Sequence, residues 1–84
     1  MYLYLVKNKT IKTIVLLIAK KTVFLYPKGD ERQQDKLYLK ALNPQLKNLK
    51  QLKFIQVTKI PEEEIDFESE EFLSIRYIDN SIEE

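Results

Sequence analysis

Cysteine and histidine are both absent from these 84 residues, and glycine appears once. Without cysteine there is no disulfide and no thiolate metal site. Without histidine the chain lacks the commonest neutral-pH general base and the commonest metal ligand, and Ser–His or Cys–His nucleophile pairs are excluded. Gly29 alone cannot build the glycine-rich loops that bring backbone close to phosphate. No catalytic residue, metal site or cofactor is therefore expected, and stability must come from packing alone.

Long apolar runs are also missing. The most apolar stretch, Ile14-Val15-Leu16-Leu17-Ile18-Ala19, is far short of the ~20 residues that span a bilayer. Lys7, Lys9 and Lys12 before it imitate the start of a secretory leader. Lys20 and Lys21 follow at once, however, and no small-residue cleavage site appears. The run reads as a buried strand, with a buried helix as the rival, in a cytoplasmic protein that does not engage membrane.

What is present is a chain with sorted charges. Residues 1–60 hold thirteen bases against the three acids Asp30, Glu31 and Asp35, a net of +10. Residues 61–84 hold the other ten acids and one base, Arg76, a net of −9. The overall +1 hides a basic body joined to an acidic segment. Such asymmetry bears on partners and self-association. The 44% hydrophobic content suits a folded chain, and one this short buries roughly 60–65% of its unfolded surface, enough for one modest core.

Runs of apolar, β-branched and aromatic residues predict strands over Tyr2 to Val6, Ile11 to Ala19 and Thr22 to Tyr26, joined by a polar turn at Lys7–Thr10 and a break near Lys20-Lys21. Neither lysine favours the positive φ of a tight hairpin turn, so a longer loop or a bulge is expected there. Tyr2, Tyr4 and Val6 share one face, with Leu3 and Leu5 on the other. Pro27 and Gly29 stop the third strand. Asp30 and Gln33 form a capping-box pattern for a helix over about 30–42. Asn43 then caps a second helix over about 44–51, with Pro44 in its first position and Leu46 and Leu49 facing the core.

A strand is expected over about 52–60, returning through a right-handed crossover to lie parallel to the third strand. Residues 71–78 read as a further strand, with a helix from Ser69 as the alternative. Asp79 to Glu84 read as a frayed end. The fold expected is thus α+β: a single domain with an N-terminal three-stranded antiparallel meander, one or two helices on one sheet face, and one or two further strands.

Two candidate surfaces follow. The basic one comprises Lys7, Lys9, Lys12, Lys20, Lys21 and Lys28, with Tyr2, Tyr4, Phe24 and Tyr26 nearby as stacking platforms. Lysine lacks the forked donors that read guanine, so any nucleic acid would be bound without sequence preference. The bland alternative is a set of solvated lysines that keep strand edges unpaired. The acidic surface comprises Glu62, Glu63, Glu64, Asp66, Glu68, Glu70 and Glu71. It lacks the alternation and the glycine of a calcium loop.

Ile65, Phe67, Phe72, Leu73, Ile75, Tyr77 and Ile78 thread through these acids. Burying each stabilises by about 1.5–3 kcal/mol. The segment is therefore expected to dock on its own body or on a second copy. The function expected is a non-enzymatic protein-interaction or regulatory module that binds another protein or itself. The alternative is a non-specific nucleic-acid binder modulated by its acidic segment.

Overall fold

Two antiparallel partners flank the first strand, and neither is its neighbour in sequence. In the computed structural model, which describes residues 1–80, β1 (Tyr2–Asn8) pairs on one side with β5 (Ile55–Pro61) and on the other with β4 (Lys36–Leu39). The short β6 (Arg76–Ile78) lies parallel to β4 and completes a four-stranded sheet of order β5-β1-β4-β6. Strands β2 (Ile14–Ile18) and β3 (Lys21–Leu25) form a separate two-stranded hairpin. Helices α1 (Pro44–Gln51) and α2 (Glu70–Ser74) and a 3-10 turn at Glu62–Glu64 complete a small α+β domain. Its radius of gyration of 12.3 Å matches the ~12 Å expected of one compact unit this long. No helix among the described residues is long and apolar enough to cross a membrane.

The α+β class and the helix over 44–51 stand, while the strand pairing differs from expectation. The three N-terminal strands do not form a meander, because β1 never pairs with β2. The hairpin instead folds over one face of the larger sheet. Leu16, Ile18 and Leu25 are fully buried against it, whereas Val15 and Leu17 are more than half exposed. The apolar run is thus a strand covered on one face only. Its turn is a tight two-residue loop after all, with Ala19 at φ 51° and Lys20 at φ 63°, the signs a type I′ turn requires.

The helix expected over 30–42 is also absent. Asp30 Oδ1 accepts from the backbone N–H of Arg32 at 2.9 Å, and Gln33 turns to φ 53°, which no helix tolerates. Leu37, Tyr38 and Leu39 are then buried in succession. That pattern belongs to a strand covered on both faces, and a continuous apolar run alone does not separate it from a helix.

Helix α1 follows its caps. Asn43 accepts from Leu46 N–H at 2.9 Å, Pro44 sits in the first turn, and Leu46 is fully buried. The next strand begins at Ile55 rather than 52, because Leu52 and Lys53 complete the helix terminus. That strand runs antiparallel to β1 and not parallel to β3. Residues 71–78 divide between both readings, with a helical turn capped by Ser69 followed by β6. The expected frayed end differs where it is described, since Asn80 is buried and bonded to the backbone of Ala41, and 81–84 lie outside the described residues.

The register divides the large sheet into two faces. Val6, Leu37, Leu39, Ile55, Val57 and Ile78 point to one side and pack with Leu16, Ile18, Leu25 and Leu46 as the aliphatic core. Leu3, Leu5, Tyr38, Ile60 and Tyr77 point to the other. There Phe72 packs on Tyr38 and on Phe67, with ring centroids 5.0 Å apart in each case.

Candidate functional site

The antiparallel pairing brings three chain segments to one end of the sheet: the end of β1, the start of β4 and the start of β5. Each carries lysine there. Lys7, Lys9, Lys28 and Lys36 line a hollow of about 100 Å³ around Asn8, with Asp35 as its one carboxylate. A second hollow of about 300 Å³ begins beside it, lined by Lys9, Lys50 and Lys53 with Ile55, Gln56 and Val57.

Asn8 organises this end. It is 3% exposed, and its side chain is fully engaged. The amide donates to the carbonyls of Lys12 (2.8 Å) and Leu25 (2.9 Å), and Oδ1 accepts from the N–H and the hydroxyl of Thr10, both at 2.7 Å. Its own N–H donates to Asp35 C=O at 2.9 Å. One residue therefore ties the lysine-bearing loop and the hairpin base, through its side chain, to the start of β4, through its backbone.

Of the expected basic surface, Lys7, Lys9 and Lys28 converge, and Lys12 lies exposed on the loop that Asn8 holds. Lys20 and Lys21 sit at the hairpin tip, four strand residues away from its base, or about 13 Å, and do not join the group. Lys36, Lys50 and Lys53 belong to it and were not anticipated. Only the pairing of β4 and β5 with β1 brings them there, and no local pattern signals that pairing.

The acids separate. Glu62 Oε1 pairs with Lys40 Nζ at 2.7 Å, and that hydrogen bond holds the Lys40 pKa above its ordinary value. Glu64, Asp66 and Glu71 line a cavity of about 290 Å³ with Tyr38, Ile60, Ile65, Ser69 and Phe72. Burial there, with the Glu71 charge nearby, raises the Tyr38 pKa. Asp66 also accepts from Glu68 N–H at 3.0 Å. Glu70 and Glu71 occupy the first turn of α2, where negative charge suits the helix dipole. Glu63, Glu68 and Glu70 face solvent. Among the described residues no three acidic side chains converge to hold a metal ion.

Attachment of residues 61–80 to the body rests little on ion pairing. Lys40–Glu62 is the one salt bridge between them among the described residues. The rest is strand pairing, aromatic packing, and Asn80, which exchanges two 2.8 Å bonds with the backbone of Ala41. Arg76, the one base of the segment, donates to Phe24 C=O at 2.8 Å, and burial lowers its pKa.

No protein-family model, curated protein or solved structure matches the chain.

Proposed function

We propose that this protein is a non-enzymatic interaction module whose lysine-bearing end receives an acidic protein surface. The observation that carries this reading is the convergence of Lys7, Lys9, Lys28 and Lys36, none of which forms an ion pair among the described residues. Charge that the fold gathers and leaves unmatched is available to a partner, raising encounter rates and selecting against like-charged surfaces. The cytoplasm is the expected setting.

The test is a binding titration of the whole protein with a polyglutamate peptide at low salt, beside a variant in which these four lysines are glutamine. Saturable binding that the variant loses supports the reading. Equal binding by both proteins, or none by the native one, overturns it.

A second reading, non-specific nucleic-acid binding, is favoured by the same lysines, which offer point charges without forked donors. It predicts binding to a short duplex that weakens with salt at a log–log slope of about −0.9 per neutralised phosphate, near −4 if all four engage. Absence of any shift at low salt eliminates it.

A further inference from the structure

The two sheets treat their edges differently. On the free side of β2, the Gln45 side chain accepts from Leu17 N–H at 2.9 Å and donates to Val15 C=O at 3.1 Å, while Asn43 donates to Leu17 C=O at 3.0 Å. On the free side of β3, Arg76 occupies Phe24 C=O. Side chains thus take up hydrogen-bonding groups on both hairpin edges, as proteins do to prevent edge pairing.

Among the described residues no side chain takes up the outer edge of β5 in this way. Lys9 N–H donates to Phe54 C=O, and Glu62 N–H donates to Met1 C=O. With the β1–β5 register, this parity turns the main-chain groups of Gln56, Thr58 and Ile60 toward β1 and those of Val57 and Lys59 outward. Among the described residues no strand pairs with that side. The Lys59 ammonium lies 4.3 Å from the centre of the Tyr2 ring, folded back over its own sheet and not screening the edge.

Charge along this edge is polarised. Lys50 and Lys53 stand at the start of β5, with the apolar wall of Ile55 and Val57 beside them. Exposed Glu63 and Glu64 follow its end. A strand that is basic at one end and acidic at the other complements an antiparallel copy of itself twice over.

We propose that β5 is a self-pairing edge, joining two copies antiparallel about a two-fold axis into one continuous sheet. With Val57 opposite Val57 of the second copy, Lys59 faces Ile55 and avoids its own counterpart. Lys53 then falls opposite Pro61 of the second copy, which sets Lys50 and Lys53 against its Glu63 and Glu64. The contact is isologous, so it closes at a dimer.

Sedimentation of the whole protein at micromolar concentration tests this. The native chain is expected to dimerise. The double variants K50E/K53E and E63K/E64K should each weaken dimerisation by about tenfold or more, because every charge contact becomes repulsive. Mixing the two variants should restore a dimer, since both contacts of the heterodimer are attractive again. Lys59→Pro, which removes one outward donor and leaves the β1 ladder intact, should also weaken it, with circular dichroism reporting the fold.

A native chain that stays monomeric overturns the proposal, even if it binds an acidic peptide. So does a dimer indifferent to these changes, which would point to the exposed hairpin face of Val15, Leu17 and Phe24. Lys7, Lys28 and Lys36 are untouched in every variant, so failure here is distinguishable from failure of the polyglutamate test.

Discussion

The two faces of the large sheet are built on different terms. One is aliphatic and closed: Val6, Leu16, Ile18, Leu25, Leu37, Leu39 and Leu46 are all 0% exposed. The other is aromatic and half open: Phe67 and Tyr77 on that side remain 45% and 40% exposed. The closed face is made by the basic body with help from Arg76 and Ile78. The open face is covered by residues 62–74 of the acidic segment. The contrast teaches that the segment is held by a thin layer, while global stability resides in the body. Local unfolding of the segment should therefore precede global unfolding.

The largest effect should come from breaking the closed face. Leu39→Ala removes a fully buried side chain at the centre of the sheet, and about 3–5 kcal/mol of unfolding free energy should be lost, read by urea denaturation. A loss under about 1 kcal/mol would show that the core relaxes around the void.

Asn8→Ala comes next. It takes the side-chain donor from the Leu25 carbonyl and the acceptor from Thr10 N–H, while Lys12 C=O keeps the Thr10 hydroxyl. Buried groups orphaned in this way cost about 1–3 kcal/mol each. Part of the site becomes solvated once the loop loosens, so a total of about 2–4 kcal/mol is expected. Lysine-end binding should fall with it, because the loop that positions Lys9 is no longer pinned.

Phe72→Ala tests the open face. It removes ring contacts to Tyr38, Phe67 and Tyr77, for an expected loss of about 1–3 kcal/mol. Hydrogen exchange should show the loss confined to the amides of residues 62–78, with the hairpin still protected. Uniform loss across the chain would mean that the two faces unfold as one.

Alkaline titration should single out the same face. Burial raises the pKa of Tyr38 and of Tyr77 above the ordinary tyrosine value, and the Glu62 hydrogen bond raises that of Lys40. All three groups hold protons in the fold at a pH where the unfolded chain releases them. Their contribution is complete below about pH 10 and declines as pH rises through the folded values. Urea midpoints that stay constant into the range where phenolate absorbance develops would contradict this.

Local chemistry made some elements legible. Asn43-Pro44 with Leu46 and Leu49 specifies α1, because cap, first turn and apolar stripe agree within a few residues. The alternation in Tyr2 to Val6 assigns the two faces of β1 correctly. Leu37-Tyr38-Leu39 misleads, because burial on both faces erases the period that distinguishes strand from helix. The β2–β3 pairing follows from adjacency along the chain, but the partners of β1 were not legible. Val6 pairs with Val57 and Leu37, contacts of long sequence separation that no local propensity encodes. The lysine end is part of that pairing, so sequence proximity groups Lys7 and Lys9 but not Lys36, Lys50 and Lys53. Asn8 carries no local signal of its role for the same reason: its four side-chain bonds span from Thr10 to Leu25.

The smallest effect, and one of opposite sign, should come from Lys53. The end of α1 is a Schellman closure: Phe54 N–H donates to Leu49 C=O and Lys53 N–H to Lys50 C=O, both at 3.0 Å. This closure places Lys53 at φ 65°, where glycine is the usual residue. A side chain there costs about 1–2 kcal/mol, offset by the greater freedom glycine gives the unfolded chain. Lys53→Gly should therefore stabilise the fold by about 0.5–1 kcal/mol, read by urea denaturation at a concentration too low for association. The same change removes one of the charges placed against the second copy. A variant that folds more tightly yet self-associates more weakly would show that the strained lysine is kept for contact. A variant that gains stability with association unchanged would make Lys53 a bystander and shift the weight of the edge contact onto Lys50.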